Sequence, residues 1–391
     1  MQTTLIRAFS IAVVVLASAN LQAQGMSKMS MPKAEYGASA AFTDDGMLLA
    51  VTKQGEHVLL YRSRDEGNTW LPPTVVNASP EPISADGENR PKVVPMPDGR
   101  ILVSWTRPLG KPFSGEVRLA HSDDGGITFS APLTVHQDRA EITHRFETPL
   151  VARDGRVYIA WIDKRDLEAA KLAKKPYRGA AIYLAVSEDG GKSFLPEIKV
   201  ADHSCECCRI VAALDTDGAP VFMWRHVFEP NIRDHALARI APDGKPLNMD
   251  RATFDGWRVD ACPHHGPSLA IAPDGTRHAV WFNVKDGAGR VFYGRLRPGG
   301  VEGQRTVGGE RAAHADLAVS NERIAIVWKE FDGERTRLYA EISVDGGNTF
   351  KKLMLATAEK NSDQPRALVR GDELFAFWRT EVEGMRVFPL R

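Results

Sequence analysis

The sequence has 391 residues and carries 50 Lys or Arg against 50 Asp or Glu, which gives a formal net charge of +0. A chain with this charge balance has no strong overall electrostatic attraction for nucleic acid or a membrane surface, so any partner must be recognised at a local site. Because the length exceeds the usual size of one domain, internal repeats have to be sought before domain boundaries.

The first 23 residues have the composition of a Sec-type signal peptide. A basic segment with Arg7 precedes the apolar stretch AFSIAVVVLASA, and small residues at Ala17, Ala19 and Ala23 offer cleavage sites. This pattern predicts a periplasmic or secreted protein whose mature chain comprises residues 24–391. No later apolar run approaches the roughly 20 residues of a transmembrane helix, so we expect no membrane span.

Four segments with the pattern S-x-D-x-G-x-T/S-aromatic recur along the mature chain. They are SRDEGNTW from Ser63, SDDGGITF from Ser122, SEDGGKSF from Ser187 and SVDGGNTF from Ser343. In each segment the Asp can accept backbone N–H bonds and the Gly can adopt a conformation that other residues resist. The aromatic residue can then pack at the base of the next strand. The four segments therefore predict tight turns between strands.

A second repeat gives the number of structural units. Seven short apolar strands each follow a turn, and six of the eight tryptophans occupy one position in them. These are Trp105, Trp161, Trp224, Trp281, Trp328 and Trp378. Another apolar strand precedes each turn, and no long helical pattern occurs. The repeat predicts an all-β chain that forms a single β-propeller over residues 24–391. Seven blades are favoured, with a six-bladed ring plus an extra hairpin as the alternative.

The four turn segments resemble the Asp-boxes of BNR-repeat, sialidase-like propellers, where such turns join the third and fourth strands of a blade. Catalytic sialidases have six blades, so seven indicate a divergent relative. The chain also resembles uncharacterised bacterial Asp-box proteins that share a C-x-C-C and C-P motif. The resemblance implies the fold but does not specify the activity, which depends on the residues of the site.

Propeller topology predicts where functional side chains gather. Loops before each innermost strand and loops after each second strand open on one face, which we call the mouth of the central channel. Three of the four cysteines lie in HSCECCR, residues 203–209, and the fourth lies in ACPHHGP, residues 261–267. Both segments precede innermost strands, so we expect them side by side at the mouth of blades four and five.

Three interpretations of these cysteines are open. An exported chain with an even number of cysteines usually forms disulfides, and a bridge from the cluster to Cys262 would tie two blades. Alternatively, thiolates and imidazoles suit Cu(I) or Zn(II), which predicts a copper or zinc site. The candidate metal ligands are Cys205, Cys207, Cys208, Cys262, His264, His265 and His314. The third interpretation is a nucleophilic cysteine near His264 or His265.

The family resemblance also implies what a sialidase-like site would require: three arginines that clamp a substrate carboxylate, a proton-transferring acid, and a tyrosine activated by a glutamate. The candidates for substrate binding are Arg90, Arg145, Arg209 and Arg225. Glu147 and Asp163 are the candidate catalytic acids. No tyrosine near the mouth has an evident glutamate partner in the sequence.

The sequence thus predicts an exported sialidase-like propeller, a binding protein with a ligand site lined by Cys, His and Arg at the mouth. A small molecule, a sugar or a metal ion is the expected partner, and nucleic acid is not. The alternative is an exo-sialidase or a related glycoside hydrolase that acts on acidic sugars. The oligomeric state stays open.

Overall fold

The structure is a computed structural model that describes residues 35–261 and 263–391. These residues form one helix and 27 strands, which are arranged in seven antiparallel sheets. The predicted signal peptide, residues 1–23, and the predicted ligand Cys262 lie outside the described residues. No helix in the described part of the chain has the length and apolar character to cross a membrane.

Strands occur in each sheet in their order along the chain. The first sheet holds β1 (Ala38–Phe42), β2 (Leu48–Gln54), β3 (His57–Ser63) and β4 (Thr74–Val75). The second holds β5 (Lys92–Pro95), β6 (Ile101–Pro108), β7 (Gly115–Ser122) and β8 (Leu133–Thr134). The third holds β9 (His144–Val151), β10 (Val157–Asp163), β11 (Ala180–Ser187) and β12 (Ile198–Ser204), with helix α1 (Arg165–Leu172) between β10 and β11.

The remaining sheets continue the pattern. The fourth holds β13 (Val211–Leu214), β14 (Pro220–Arg225), β15 (His235–Ile240) and β16 (Pro246–Arg251). The fifth holds β17 (Ser268–Ile271), β18 (Arg277–Lys285), β19 (Ala288–Arg297) and β20 (Gly300–Val307). The sixth holds β21 (Ala312–Ser320), β22 (Arg323–Phe331), β23 (Thr336–Ser343) and β24 (Lys351–Ala358). The seventh holds β25 (Arg366–Arg370), β26 (Glu373–Thr380) and β27 (Gly384–Leu390).

The first strands of neighbouring sheets contact one another all the way around a central axis. The contacts run from β1 to β5, β9, β13, β17, β21 and β25, and β25 in turn contacts β1. The first strand of each sheet is therefore the innermost strand, and the sheets are the blades of a closed ring. This arrangement confirms the prediction of an all-β, seven-bladed propeller.

The repeated tryptophans lie in the second strands of six blades and are completely or almost completely buried. Each indole ring packs between two neighbouring sheets, where its large apolar surface leaves water. Five of the six indole N–H groups have a partner; for example, Trp161 Nε1 donates to Asp163 Oδ2 at 2.9 Å. Among the described residues, only Trp224 of these six leaves its Nε1 without one. The Trp repeat thus marks the contacts between blades.

The four predicted turns join the third and fourth strands of blades one, two, three and six. In the second of them, Asp124 Oδ1 accepts the backbone N–H groups of Ile127 and Thr128 at 3.0 and 2.9 Å. Gly126 has a φ of 82°, a left-handed conformation that suits glycine. Local hydrogen bonds within eight residues therefore determine this turn, which explains why the sequence alone predicts it.

Candidate functional site

Loops that precede the innermost strands converge at one end of the axis, as the topology predicts. Arg209, which lies just before β13, shows this convergence most directly. Its Nη2 donates to the carbonyl oxygen of Ala315 at 2.7 Å, and its Nε donates to that of Pro267 at 3.0 Å. One side chain from blade four therefore reaches the loop before β17 in blade five and the innermost strand of blade six. The side chain of Arg209 thus joins three blades at the mouth.

Arg90 is fully buried just before β5. Its Nη1 donates to Asp363 Oδ2 at 2.6 Å and to the carbonyl oxygen of Ala38 at 2.7 Å, and its Nη2 donates to Gln364 Oε1 at 3.0 Å. Asp363 and Gln364 precede β25, so Arg90 links blade two to blades one and seven. Its terminal nitrogens already have partners within the protein, and its role as a substrate ligand stays a prediction.

Glu88 and Arg209 form a second buried ion pair across the axis. The Arg209 backbone N–H donates to Glu88 Oε2 at 3.0 Å, and Arg209 Nη1 donates to Glu88 Oε1 at 3.2 Å. Burial alone would raise the pKa of Glu88, but Arg209 and His314 together hold this pKa well below its usual range. Glu88 is therefore ionised. We call the group of Glu88, Arg90, Arg209, Asp363 and Gln364 the axial network.

Two of the predicted histidines stack beside the axial network. The His265 ring lies 4.2 Å from the Phe282 ring and 4.4 Å from the His314 ring, measured between centroids, and both pairs are nearly parallel. Burial lowers the pKa of His265 to about 3, and His314 contributes to this shift. At neutral pH His265 is therefore uncharged. His264, by contrast, is exposed, with a φ of 53°.

Glu147 lies on β9 and is completely buried. Its Oε1 accepts a hydrogen bond from Lys92 Nζ at 3.2 Å, and its Oε2 accepts one from Thr106 Oγ1 at 2.8 Å. Burial lowers the pKa of Lys92, and the Glu147 carboxylate partly offsets that effect. Arg145, two residues earlier, is less engaged, because its guanidinium group donates no hydrogen bond to the described residues and its Nη2 lies 4.0 Å from Asp86 Oδ2. Of the four predicted substrate-binding arginines, Arg145 has the most capacity left for a ligand.

Asp163 ends β10 and is buried within blade three. It accepts hydrogen bonds from Trp161 Nε1 at 2.9 Å and from Arg165 Nη2 at 2.8 Å. Its Oδ2 also lies 3.7 Å from His144 Nε2. The carboxylate thus orients an indole and a guanidinium group of its own blade, whereas His144 Nε2 has no hydrogen-bond partner among the described residues. Its predicted role as a catalytic acid stays a prediction.

Three of the predicted metal ligands form a buried triangle of sulfur atoms, which we call the sulfur triangle. The Sγ atoms of Cys205 and Cys207 are 3.8 Å apart, those of Cys207 and Cys208 are 4.0 Å apart, and those of Cys208 and Cys205 are 3.8 Å apart. A disulfide requires about 2.05 Å between sulfurs, so no bridge joins these three residues to one another. The predicted bridge to Cys262 involves a residue outside the described part of the chain.

The dimensions of the sulfur triangle match those of a metal-thiolate centre. A point equidistant from three sulfurs at these separations lies about 2.2 Å from each, close to the about 2.3 Å of a Zn–S bond. Hydrogen bonding from Cys207 and Cys208, assisted by the charge of Arg225, lowers the pKa of the Cys205 thiol well below its usual range. Burial raises the pKa of Cys208. The donor set therefore fits a soft ion that binds to sulfur.

The predicted imidazole ligands do not join this triangle. Within residues 35–261 and 263–391, Cys205, Cys207 and Cys208 are the only group of three or more His, Cys, Asp or Glu residues whose ligand atoms all lie within 4.8 Å of one another. His265 and His314 instead stack beside Glu88. The mouth therefore has two regions, a sulfur triangle in blade four and an imidazole pair near the axis.

A tyrosine–glutamate pair at the mouth is a feature that sequence reasoning missed. The Tyr36 side chain lies close to Glu381, and burial together with this carboxylate raises the pKa of Tyr36. Arg379 lies over the Tyr36 ring, with its guanidinium carbon 6.0 Å from the ring centroid. The two partners are separated by most of the chain, so no local sequence signal pairs them.

The mouth also carries two cations that the sequence analysis did not single out as binding residues. Lys329 Nζ donates to the carbonyl oxygen of Ser362 at 3.1 Å, and no carboxylate oxygen of the described residues lies within 4.0 Å of it. Arg366, the first residue of β25, lies 3.8 Å from Asp316 and has a pKa lowered to about 9 by burial and by the charges of Arg90 and Arg209. Anions are therefore favoured at this side of the mouth.

No family model and no curated protein matches the sequence. Several solved structures share the fold. An ulvan lyase of polysaccharide lyase family PL25, bound to GlcA(1-4)Rha3S, aligns with a TM-score of 0.58 and 12% identity over 90% of this chain and 91% of that chain. The polysaccharide lyase Uly1 aligns with a TM-score of 0.56 and 11% identity over 92% and 91%. The GH93 alpha-L-arabinofuranosidase of Fusarium graminearum with arabinobiose aligns with a TM-score of 0.52 and 12% identity over 81% and 92%. At these identities the similarity shows the propeller fold, and the sialidase-like relationship stays a prediction.

Proposed function

We propose that this protein is an exported β-propeller that binds a soft metal ion, Cu(I) or Zn(II), at the sulfur triangle. The observation that supports the proposal is the mutual spacing of the three buried sulfurs, 3.8 to 4.0 Å. Thiolates select soft or borderline ions over Mg²⁺ or Ca²⁺. Cys262 is the proposed further ligand, and the predicted ligands His264, His265 and His314 belong to the surrounding mouth. Metal held there would fix the loops of blades three to five relative to one another.

The test is a metal titration of the full mature protein under anaerobic, reducing conditions. We expect about one equivalent of Cu(I) or Zn(II) per chain, because the three sulfurs of the triangle surround a single point at which an ion can bind. Bound metal should also protect these cysteines from a thiol-reactive reagent, and a chelator should reverse the protection. Protein that binds neither ion, with its cysteines oxidised to disulfides on isolation, would contradict the proposal.

A second candidate function is recognition or cleavage of an acidic polysaccharide at the same mouth. The ulvan lyase structure carries a glucuronate-containing ligand, and the present mouth offers Arg145, Lys329 and Arg366 as cations for a uronate carboxylate. The Tyr36–Glu381 pair and Glu147 would supply groups for proton transfer. A sialidase-like hydrolase is the alternative chemistry, with Glu147 and Asp163 as the predicted acids.

We expect the Arg145→Ala variant to lower kcat/KM on the responsive substrate by about 100-fold, because the arginine would face charge that develops in the transition state. Ulvan, other uronate polymers and a fluorogenic sialoside should be compared as substrates. Arg156→Ala is the matched control, since Arg156 forms an exposed ion pair with Asp154 on the turn between β9 and β10. Absence of both turnover and binding for all of these substrates would remove the second candidate and leave the metal proposal standing.

A further inference from the structure

The residue directly after the repeated tryptophan position is basic in four of the seven second strands. In blade one, Thr52 occupies the tryptophan position. The four basic residues that follow this position, in blades one, four, six and seven, are Lys53, Arg225, Lys329 and Arg379. Because the blades repeat by rotation about the central axis, these cations occupy equivalent places around the mouth.

Three of these cations reach the segment that leads into the innermost strand of the next blade. Each donates to a backbone carbonyl oxygen of that segment: Arg225 to His265 at 3.0 Å, Lys329 to Ser362 at 3.1 Å and Arg379 to Tyr36 at 3.5 Å. The direction of the side chain thus recurs from blade to blade. The repeat therefore determines where each positive charge lies.

The three cations differ in how many of their N–H groups the protein uses. Arg225 is 1% exposed and donates to four neutral oxygen atoms. Lys329 and Arg379 are partly exposed, and each donates a single hydrogen bond, although an ammonium group offers three N–H donors and a guanidinium group five. Among the described residues, no carboxylate oxygen lies within 4.0 Å of either cation. Lys329 and Arg379 therefore keep donors for a ligand, and Arg225 does not.

The surroundings of Lys329 and Arg379 favour an added anion. Burial lowers the pKa of both side chains, and the charge of Asp363 offsets part of this effect. Asp363 is itself paired with Arg90 at 2.6 Å. An acidic group of a ligand would supply the direct ion-pair partner that both cations lack, at partly desolvated positions where charge-assisted hydrogen bonds are strong.

Lys329 lines a cleft of about 470 Å³ between blades six and seven at the mouth. Phe331 follows it by two residues on β22 and pairs with Thr336 on β23, so the three side chains share one face of blade six. Phe331 is 52% exposed, and Asn361 lines the cleft from the loop before blade seven. An exposed aromatic ring with hydroxyl and amide groups beside a cation suits a sugar ring that carries an acidic group.

The cleft also contains three glutamates, and two of them already lie near a cation. Glu334 lies 3.8 Å from Arg335, and Glu381 lies 3.8 Å from Lys360. Lys329, by contrast, has no such partner. These pairs leave Lys329 as the group of the cleft that is best placed to bind an anion.

Building on the second candidate of the proposed function, we infer that Lys329 and Arg379 bind successive acidic groups of an oligosaccharide whose negative charges repeat along its chain. Equivalent cations in neighbouring blades present positive charge at a regular interval around the mouth. A linear ligand with one carboxylate or sulfate group per repeat matches this interval, whereas an acidic monosaccharide occupies one position only. The ring of Tyr36, with the guanidinium carbon of Arg379 6.0 Å from its centroid, places an aromatic group beside the second cation as Phe331 does beside the first.

The experiment measures the affinity of the full mature protein for an oligogalacturonate, for galacturonate itself and for a neutral arabinan oligosaccharide. Lys329→Gln and Arg379→Gln remove the charge and keep an N–H donor for the carbonyl oxygen of the next blade. Each variant should bind the oligogalacturonate about 10-fold more weakly, the usual contribution of a hydrogen bond to a charged group. The double variant should lose about 100-fold if the two positions act independently. The wild type should bind the oligogalacturonate more tightly than galacturonate.

Lys351→Gln is the matched control for these variants. Lys351 is an exposed lysine at the start of β24 in blade six, on the face opposite the mouth, and no carboxylate oxygen of the described residues lies within 4.0 Å of it. Its loss should leave the affinity unchanged. A sulfated galactan oligosaccharide without uronate identifies the acidic group: its binding assigns sulfate, and binding of the oligogalacturonate assigns carboxylate. Either result supports the inference when it depends on Lys329 and Arg379.

Equal affinity of the wild type and the double variant for the acidic oligosaccharides would overturn the inference. Equal losses for the charged and the neutral oligosaccharides would do the same, because the cations would then recognise no charge. Binding of a single-stranded oligonucleotide in place of the oligosaccharides would assign the two cations to a nucleic acid. Failure of the second candidate function looks different, since the wild type itself would then bind no acidic oligosaccharide.

Discussion

Replacing Cys208 by serine is expected to abolish stoichiometric metal binding. Cys208 contributes one corner of the sulfur triangle, and two sulfurs 3.8 Å apart no longer enclose an ion. A hydroxyl is a poor ligand for soft ions. The affinity should fall by more than about 100-fold, since even indirect changes to metal sites cost 10- to 100-fold. Titration with Cu(I) and Zn(II), together with elemental analysis of the isolated protein, measures the loss.

The matched control for Cys208→Ser is Ala236→Ser. Ala236 is fully buried in the same hydrophobic cluster between blades three and four, so the variant introduces a comparable hydroxyl without removing a sulfur. Both variants should lose about 1–3 kcal/mol of stability from the buried hydroxyl, and only Cys208→Ser should lose metal. Full metal occupancy at unchanged affinity in Cys208→Ser would show that the triangle is not the site.

Replacing Arg90 by alanine is expected to lower the free energy of unfolding by about 3–5 kcal/mol, because it leaves one partner of a buried ion pair uncompensated. The variant would strand the Asp363 carboxylate, whose side chain is 3% exposed, together with the Ala38 carbonyl oxygen. Urea denaturation followed by far-ultraviolet circular dichroism measures the change.

Arg100→Ala serves as the control for Arg90→Ala. Arg100 pairs with Asp98 on the surface of the same blade, so its loss should cost at most about 1 kcal/mol. A loss of less than 1 kcal/mol in Arg90→Ala would mean that water or neighbouring groups replace the arginine, and Arg90 would then regain its place as a candidate substrate ligand.

The fold could be predicted from the sequence because its signals are local. Each of the four S-x-D-x-G-x-T/S-aromatic turns spans only eight residues, within which Asp124 bonds to Thr128, and each repeated tryptophan marks the same position in the second strand of a blade. Because these local patterns recur along the chain, the number of repeats gives the number of blades. The cluster of three cysteines could be predicted for the same reason, since its members lie within four consecutive residues.

The partners of the mouth residues could not be predicted, because residues that are far apart in the sequence come into contact only when the ring closes. Arg90 pairs with Asp363 across 273 positions of the chain, and Tyr36 meets Glu381 across a greater separation. From the sequence, Arg90, Arg209 and Arg225 are equivalent arginines near a binding face. In the structure they differ, since Arg90 and Arg209 neutralise carboxylates, whereas Arg225 donates its hydrogen bonds to neutral oxygens.

The contact between blades one and seven closes the ring through side-chain and backbone contacts, because these two neighbouring blades are not consecutive in the chain. Arg370 reaches Glu66, Phe42 packs on Phe375 at 5.0 Å, and the Ala38 backbone N–H donates to Asp363 Oδ2 at 2.9 Å. The innermost of these contacts shares Asp363 with Arg90. Separation of blades one and seven would therefore also break the Arg90–Asp363 pair at the mouth. Closure of the ring and the geometry of the ligand site thus depend on the same contacts.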